Sequence, residues 1–304
     1  SGANRDVSEA TKTEMLHLLS QNLGHFRARS QDMAEAGMLL VLNAPKPNQA
    51  DPNDPANALL DNAFKIILDS GYFGNGAEAV KGIIKYTKEH APPPYDGMAL
   101  LAGKLSPKAM GYAADSLDSF WTWMTSNKGD AENVQFIKDL ACAATPEGKA
   151  GIITALMANW TTDSREKVIT DILVGRHGQQ VLKGPEFARM VNLLDMNTLS
   201  DELETPSEAG QFLAALIDRY PKDAGDLNLK VRQLFSDYST LANSGAEMMA
   251  AMLNTLEKAY PDGKGVHKAL AKLDSTPVKT FLTYGNSVVL ERLRGYMNLD
   301  IPSS

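Results

Sequence analysis

Helix starts are written into this chain more often than any other structural instruction. Asp54-Pro55, Ser106-Pro107, Thr145-Pro146, Thr205-Pro206 and Thr276-Pro277 each set an oxygen-bearing side chain before a proline. That oxygen accepts from the open amides of a first helical turn, and proline at the first helical position gives up an amide that has no partner there. Thr205-Pro206-Ser207-Glu208 and Ser244-Gly245-Ala246-Glu247 also have capping-box spacing. Composition agrees. Leu and Ala together outnumber Val and Ile roughly three to one, favouring side chains that keep their rotamers in a helix over strand formers.

Between these starts the apolar spacing is helical. Ile152, Ile153, Leu156, Met157 and Trp160 form one stripe, and Phe212, Leu213, Leu216, Ile217 and Tyr220 another. The pattern predicts about fourteen to sixteen helices and no hairpin. From Val278 to Val289 it is interrupted by Gly285-Asn286. Pro45 to Pro55 and Ala91 to Gly97 read as linkers. The expected fold is all-α, with stacked antiparallel helix pairs forming one or two bundles. An N-terminal bundle would occupy residues 1–90 and a larger domain of helix pairs residues 98–304, divided at Pro92-Pro93-Pro94, unless the two are one continuous domain.

A faint repeat runs through the chain. Leu156…Trp160…Asp163 and Leu216…Tyr220…Asp223 superpose at an offset of 60 residues. Leu256…Tyr260, Leu117…Trp121 and Leu68…Tyr72 share the same leucine-to-aromatic step. A step of four puts both side chains on one helix face, with the aromatic placed to plug the gap beneath the following turn. The stretch Leu156 to Asp163, followed by Val168-Ile169…Ile172-Leu173, is similar to one annexin helix pair. The glycines of an annexin calcium loop are replaced by Asn159 and Thr161 or Thr162, so no calcium function is carried over.

Charge and cysteine content narrow the function classes. With 30 Lys and Arg against 37 Asp and Glu, the net charge is −7, which argues against general nucleic-acid binding. One cysteine, Cys142, allows no internal disulfide and no multi-cysteine zinc site. This fits a reducing compartment and equally an exported chain without disulfides. Its setting, Leu140-Ala141-Cys142-Ala143-Ala144, predicts a buried, inert thiol. No apolar run is long enough to cross a bilayer.

No motif assembles a reaction. Gly74-Asn75-Gly76-Ala77-Glu78-Ala79 fits a dinucleotide fingerprint but follows a helical stripe where a strand is required. His17, His25, His90, His177 and His267 show no metal-ligand spacing. Ser164-Arg165-Glu166-Lys167 reads as a helix start rather than part of an acyltransferase. Asp195, Asp201, Glu202, Glu204 and Glu208 lie where acids complement helix dipoles. No catalytic residue, metal or cofactor is expected from these patterns. Trp121 and Trp160 are expected in the core, with Trp123 undecided between core and interface.

Two lysine stripes are the candidate contacts for an acidic partner or anionic surface: Lys81, Lys85 and Lys88, and Lys264, Lys268 and Lys272. The leading expectation is a non-enzymatic interaction module (adaptor, regulator or effector) with protein partners and no nucleic acid. In architecture it resembles helical-bundle proteins of bacterial secretion systems, including type III gatekeepers and effectors. One alternative is an enzyme whose site gathers from separate helices, with His177, Arg176 and the acids near Asp201 taking part. Another is a peripheral membrane binder using a lysine stripe.

Overall fold

A computed structural model describes residues 14, 18, 30–51, 53–74, 77–91, 97–117, 127–158, 163–203, 205–223, 226–236 and 244–297. Among them are sixteen helices and no strand. The all-α reading is therefore correct. The chain divides into two compact units, Ser1–Leu156 and Met157–Ser304. Pro92-Pro93-Pro94, Trp121, Trp123, Trp160, Asn159, Thr161 and Thr162 lie outside the described residues.

The first unit holds α1 (Ser30–Asn43), α2 (Pro55–Asp69), α3 (Ala77–His90), α4 (Gly97–Ala102), α5 (Pro107–Leu117), α6 (Asn127–Ala143) and nearly all of α7 (Pro146–Met157). α1 lies along α2, while α3 meets α1, α4 and α5. Three expected starts are capped as written. Asp54 accepts from the Ala56 amide at 2.8 Å, Ser106 Oγ from Ala109 at 3.0 Å and Thr145 Oγ1 from Gly148 at 3.2 Å.

Of the expected linker Pro45 to Pro55, the described residues 45–51, 53 and 54 form a loop tied down by hydrogen bonds, and Pro55 begins α2. Asn57 donates to the carbonyls of Asn48 and Asp51, and buried Gln49 donates to those of Ala102 and Leu105. Thr145 Oγ1 completes the tie by donating to Gln49 Oε1 at 2.6 Å. A loop without regular structure must pair its inward-facing polar groups somewhere, and this amide supplies three such bonds.

Two lysines are buried in this unit, both against carbonyls at helix ends. Lys104 donates to the Ala44 carbonyl, just past α1, and Lys149 to that of Ala141 in the last turn of α6. Carbonyls at a helix end carry the negative end of the dipole, so an ammonium is favoured there, although the Ala141 oxygen also accepts from the Ala144 amide at 3.2 Å. Burial lowers the pKa of each amine. Lys149 falls to about 8, with the nearby Cys142 thiol opposing the drop.

Cys142 itself is exposed, against expectation. Leu140 and Ala141 point into the core, and Cys142 lies about 100° further round α6, on the solvent side. Small alanines on both flanks conceal that turn in a linear reading.

The second unit holds α8 (Asp163–Val174), α9 (Gly184–Asn192), α10 (Met196–Glu202), α11 (Pro206–Arg219), α12 (Leu227–Ser236), α13 (Ser244–Ala259), α14 (Lys264–Leu270), α15 (Ser275–Tyr284) and α16 (Ser287–Met297). α11 runs through its centre, touching α8, α12, α13 and α14. Every residue from Phe212 to Ile217 is buried, as befits a helix with neighbours on all sides. α11 and α13 approach at backbone distance: a Cβ at Gly210 would stand 2.3 Å from the Met248 oxygen and 2.6 Å from Ala251 Cβ.

Thr205 caps α11 as expected, accepting from the Glu208 amide at 3.2 Å while its hydroxyl donates to the Glu208 carboxylate at 2.9 Å. The start of α15 differs. Asp274, not Thr276, is the cap, accepting from the Thr276 amide at 2.8 Å, and Pro277 occupies the third helical position. Proline is tolerated there because that amide also lacks a helical partner. The Gly285-Asn286 interruption is a true break, and Asn286 caps α16 by accepting from the Val289 amide at 3.0 Å. The aromatic plugs diverge. Tyr220 is fully buried and donates to Asn192 Oδ1 at 2.6 Å, whereas Tyr72 is 43% exposed.

Candidate functional site

Two groups of charged side chains in the second unit merit comparison. The first is the elbow after α8. Gly175, at φ +71°, ends the helix, and the Arg176 amide reaches back to the Asp171 carbonyl at 2.9 Å, the long bond of a Schellman ending. A side chain at position 175 would also meet the Val181 backbone at 2.8 Å. A tight turn follows, closed from the Gln179 amide to the Arg176 carbonyl at 3.0 Å. Both its central residues, His177 and Gly178, have positive φ.

This turn sets His177 Nδ1 2.8 Å from Oδ1 of buried Asp171, leaving an imidazole that is 69% exposed. Arg176 donates to Gln211 at 2.6 Å. The carboxylate that joins His177 is thus Asp171, not one of the acids near Asp201. Among those acids, Asp195 caps α10, and the Asn197 amide and Thr198 hydroxyl hold its carboxyl below the usual range. Glu208 belongs to the α11 capping box. Asp201 is exposed, Glu202 is half-buried, and Glu204 lies outside the described residues.

The second group lines a concavity of about 460 Å³, whose walls include Lys183, Asp218, Arg219, Tyr260, Lys268 and Lys272. Lys183 precedes α9, where a helix start ordinarily carries a capping oxygen and here makes no side-chain cap. Arg219 ends α11, Lys268 lies on α14, and Lys272 follows it. Among the described lining residues four cations accompany one carboxylate, in a chain whose overall charge is negative.

The anchoring of these groups is uneven. Arg219 Nη1 donates to the Val174 carbonyl at 3.0 Å, which fixes the guanidinium and leaves most of its donors unused. Lys272 Nζ donates to the carbonyls of Asp218 at 2.5 Å and Tyr220 at 3.4 Å. Asp218 Oδ1 accepts from Tyr260 Oη at 2.7 Å, so the one carboxylate already has a neutral partner. Lys183 and Lys268 have no hydrogen-bond or ion-pair partner among the described residues. Burial lowers the pKa of both Arg219 and Lys272; Asp218 opposes the drop in each, while Arg176 adds to it at Arg219 and Lys268 at Lys272.

The concavity therefore takes in Lys268 and Lys272 of the expected stripe. Lys264, the third member, is exposed but is not among its lining residues. In the first unit, Lys85 and Lys88 are exposed. Lys81 is half-buried, with Nζ 3.7 Å from Glu78 and 5.9 Å from the Phe136 ring centre. Lys183 and Arg219 were not singled out by sequence reasoning. The signal for Lys183 was a lysine in place of a capping oxygen before Gly184-Pro185.

Among the described residues, no three His, Cys, Asp or Glu side chains gather as metal ligands, and no helix is long and apolar enough to cross a membrane. The glycine-rich motif joins α2 to α3, two helices, with Asn75 and Gly76 outside the described residues. Compared with protein families, curated proteins and solved structures, the chain matches none of them.

Proposed function

We propose that this protein is a helical interaction module whose second unit docks an acidic segment of a protein partner. The observation that carries this reading is the cationic concavity. Four basic residues, from the entry to α9, the end of α11 and the α14 stripe, are among the described residues that line one depression, two of them without partners among the described residues. Like charges drawn together repel one another, and an anionic ligand relieves that repulsion. Adaptor, regulator and bacterial secretion effector are the roles expected of such an architecture.

The test compares capture by the wild type and by the Lys183→Glu, Lys268→Glu double variant from candidate cells. A saturable partner retained by the wild type, weakened by salt and lost from the variant, supports the reading. No saturable partner, or equal capture by both, removes it.

One arrangement favours a second reading, an enzyme. Asp171 orients the exposed His177 ring as a carboxylate orients a general base. Turnover of hydrolase or transferase substrates that disappears in His177→Ala supports this reading. Absent or unchanged turnover removes it.

A further inference from the structure

The chemistry of the concavity says more about what it holds than that the ligand is negative. A single side-chain carboxylate would offset only one of its three excess positive charges. Its shape is also poorly matched. A carboxylate is flat and presents two oxygens, suiting one guanidinium fork, whereas a phosphoryl group presents three oxygens in different directions.

Here the donors come from three parts of the fold rather than from one fork. Lys183 stands before α9, Arg219 at the end of α11, Lys268 on α14 and Lys272 beyond it. The two deeper cations are held by backbone carbonyls, Arg219 by that of Val174 and Lys272 by those of Asp218 and Tyr220. The outer two, Lys183 and Lys268, are exposed. Fixed donors at the floor and adaptable ammonium groups at the rim provide for a group that enters from solvent and is gripped on several oxygens. Tyr260 donates to Oδ1 of Asp218, the one carboxylate among the described lining residues, whose charge offsets one of the four cations.

We propose that this concavity seats a phosphoryl dianion carried on an acidic segment of a protein partner. The inference rests on the reading of the concavity as a docking surface and adds the chemical identity of the group that enters it.

The test uses the full chain and calorimetric titration. Pyrophosphate is the first probe and succinate, a flat dicarboxylate, the comparison. An acidic peptide bearing one phosphoserine, the same peptide with Glu in that place, and phosphatidylcholine vesicles containing phosphatidylinositol 4-phosphate complete the set. Pyrophosphate is expected to bind at least about tenfold more tightly than succinate, and the phosphopeptide at least about tenfold more tightly than its Glu counterpart. Lys183→Glu and Lys268→Glu, both at exposed positions, should each weaken pyrophosphate and phosphopeptide severalfold. Lys85→Glu in the first unit should leave both unchanged, which separates a local site from net charge.

Equal binding of the phosphoserine and Glu peptides overturns the phosphoryl assignment and leaves the docking reading standing. Binding of neither peptide overturns both. Equal loss in Lys85→Glu overturns the site. Binding of the vesicles without the phosphopeptide overturns the protein source.

Discussion

The buried ammonium of Lys149 gives the first unit a stability that depends on alkaline pH in a calculable way. Burial brings its pKa from 10.5 to about 8, while the unfolded chain keeps the ordinary value. Between those values the unfolded lysine holds its proton and the folded one releases it. The unfolded state then binds more protons, so this group makes stability rise with pH through that window. Linkage with these two values gives a gain of about 2 kcal/mol between roughly pH 7 and 9.5.

Lys149→Met removes the titrating group and leaves the Ala141 carbonyl without its ammonium, which changes stability at every pH. The pH-dependent part is the difference between the two curves. Urea unfolding of both proteins, followed by circular dichroism across this range, should show the wild type gaining on the variant by about that amount. Cys142→Ser in both backgrounds removes the neighbouring thiol that opposes the drop. Parallel pH curves for wild type and variant would refute the argument, and so would a wild type that loses ground as pH rises.

Three further outcomes follow from the fold. Gly210→Ala forces a methyl against the α13 backbone and should cost about 1–3 kcal/mol in thermal or urea unfolding, with the helical spectrum retained. Asp274→Ala should cost about 1 kcal/mol through loss of the α15 cap, whereas Thr276→Ala should stay within about 0.5 kcal/mol. Equal costs for the two would return the cap to Thr276. Cys142 should react with a thiol reagent in the native protein, and labelling only after unfolding would place it in the core.

What could be read in the sequence was what short segments decide alone. Thr205-Pro206 and Thr145-Pro146 are self-contained instructions, because the cap and its amides lie within four residues of one another. Thr276-Pro277 misled for a physical reason: a first turn has several unpaired amides, so proline does not identify which position it occupies. Cys142 misled because its small apolar neighbours carry no phase. The lysine stripe announced Lys268 and Lys272 by their spacing, but their concavity also needs Lys183 and Arg219, brought there by tertiary contacts. Asp171 and His177 were close enough in sequence to pair, yet the pairing depends on two successive positive φ values that residue types only suggest.

Gln49 has a mechanical consequence for the first unit. Its single amide ties its own loop to two places far along the chain, the end of α4 with the turn after it and the threshold of α7. A clasp of this kind works like a keystone. Closing segments so far apart in sequence costs chain entropy that the finished clasp must offset, so loss of this one amide should loosen the arch on every side it touches.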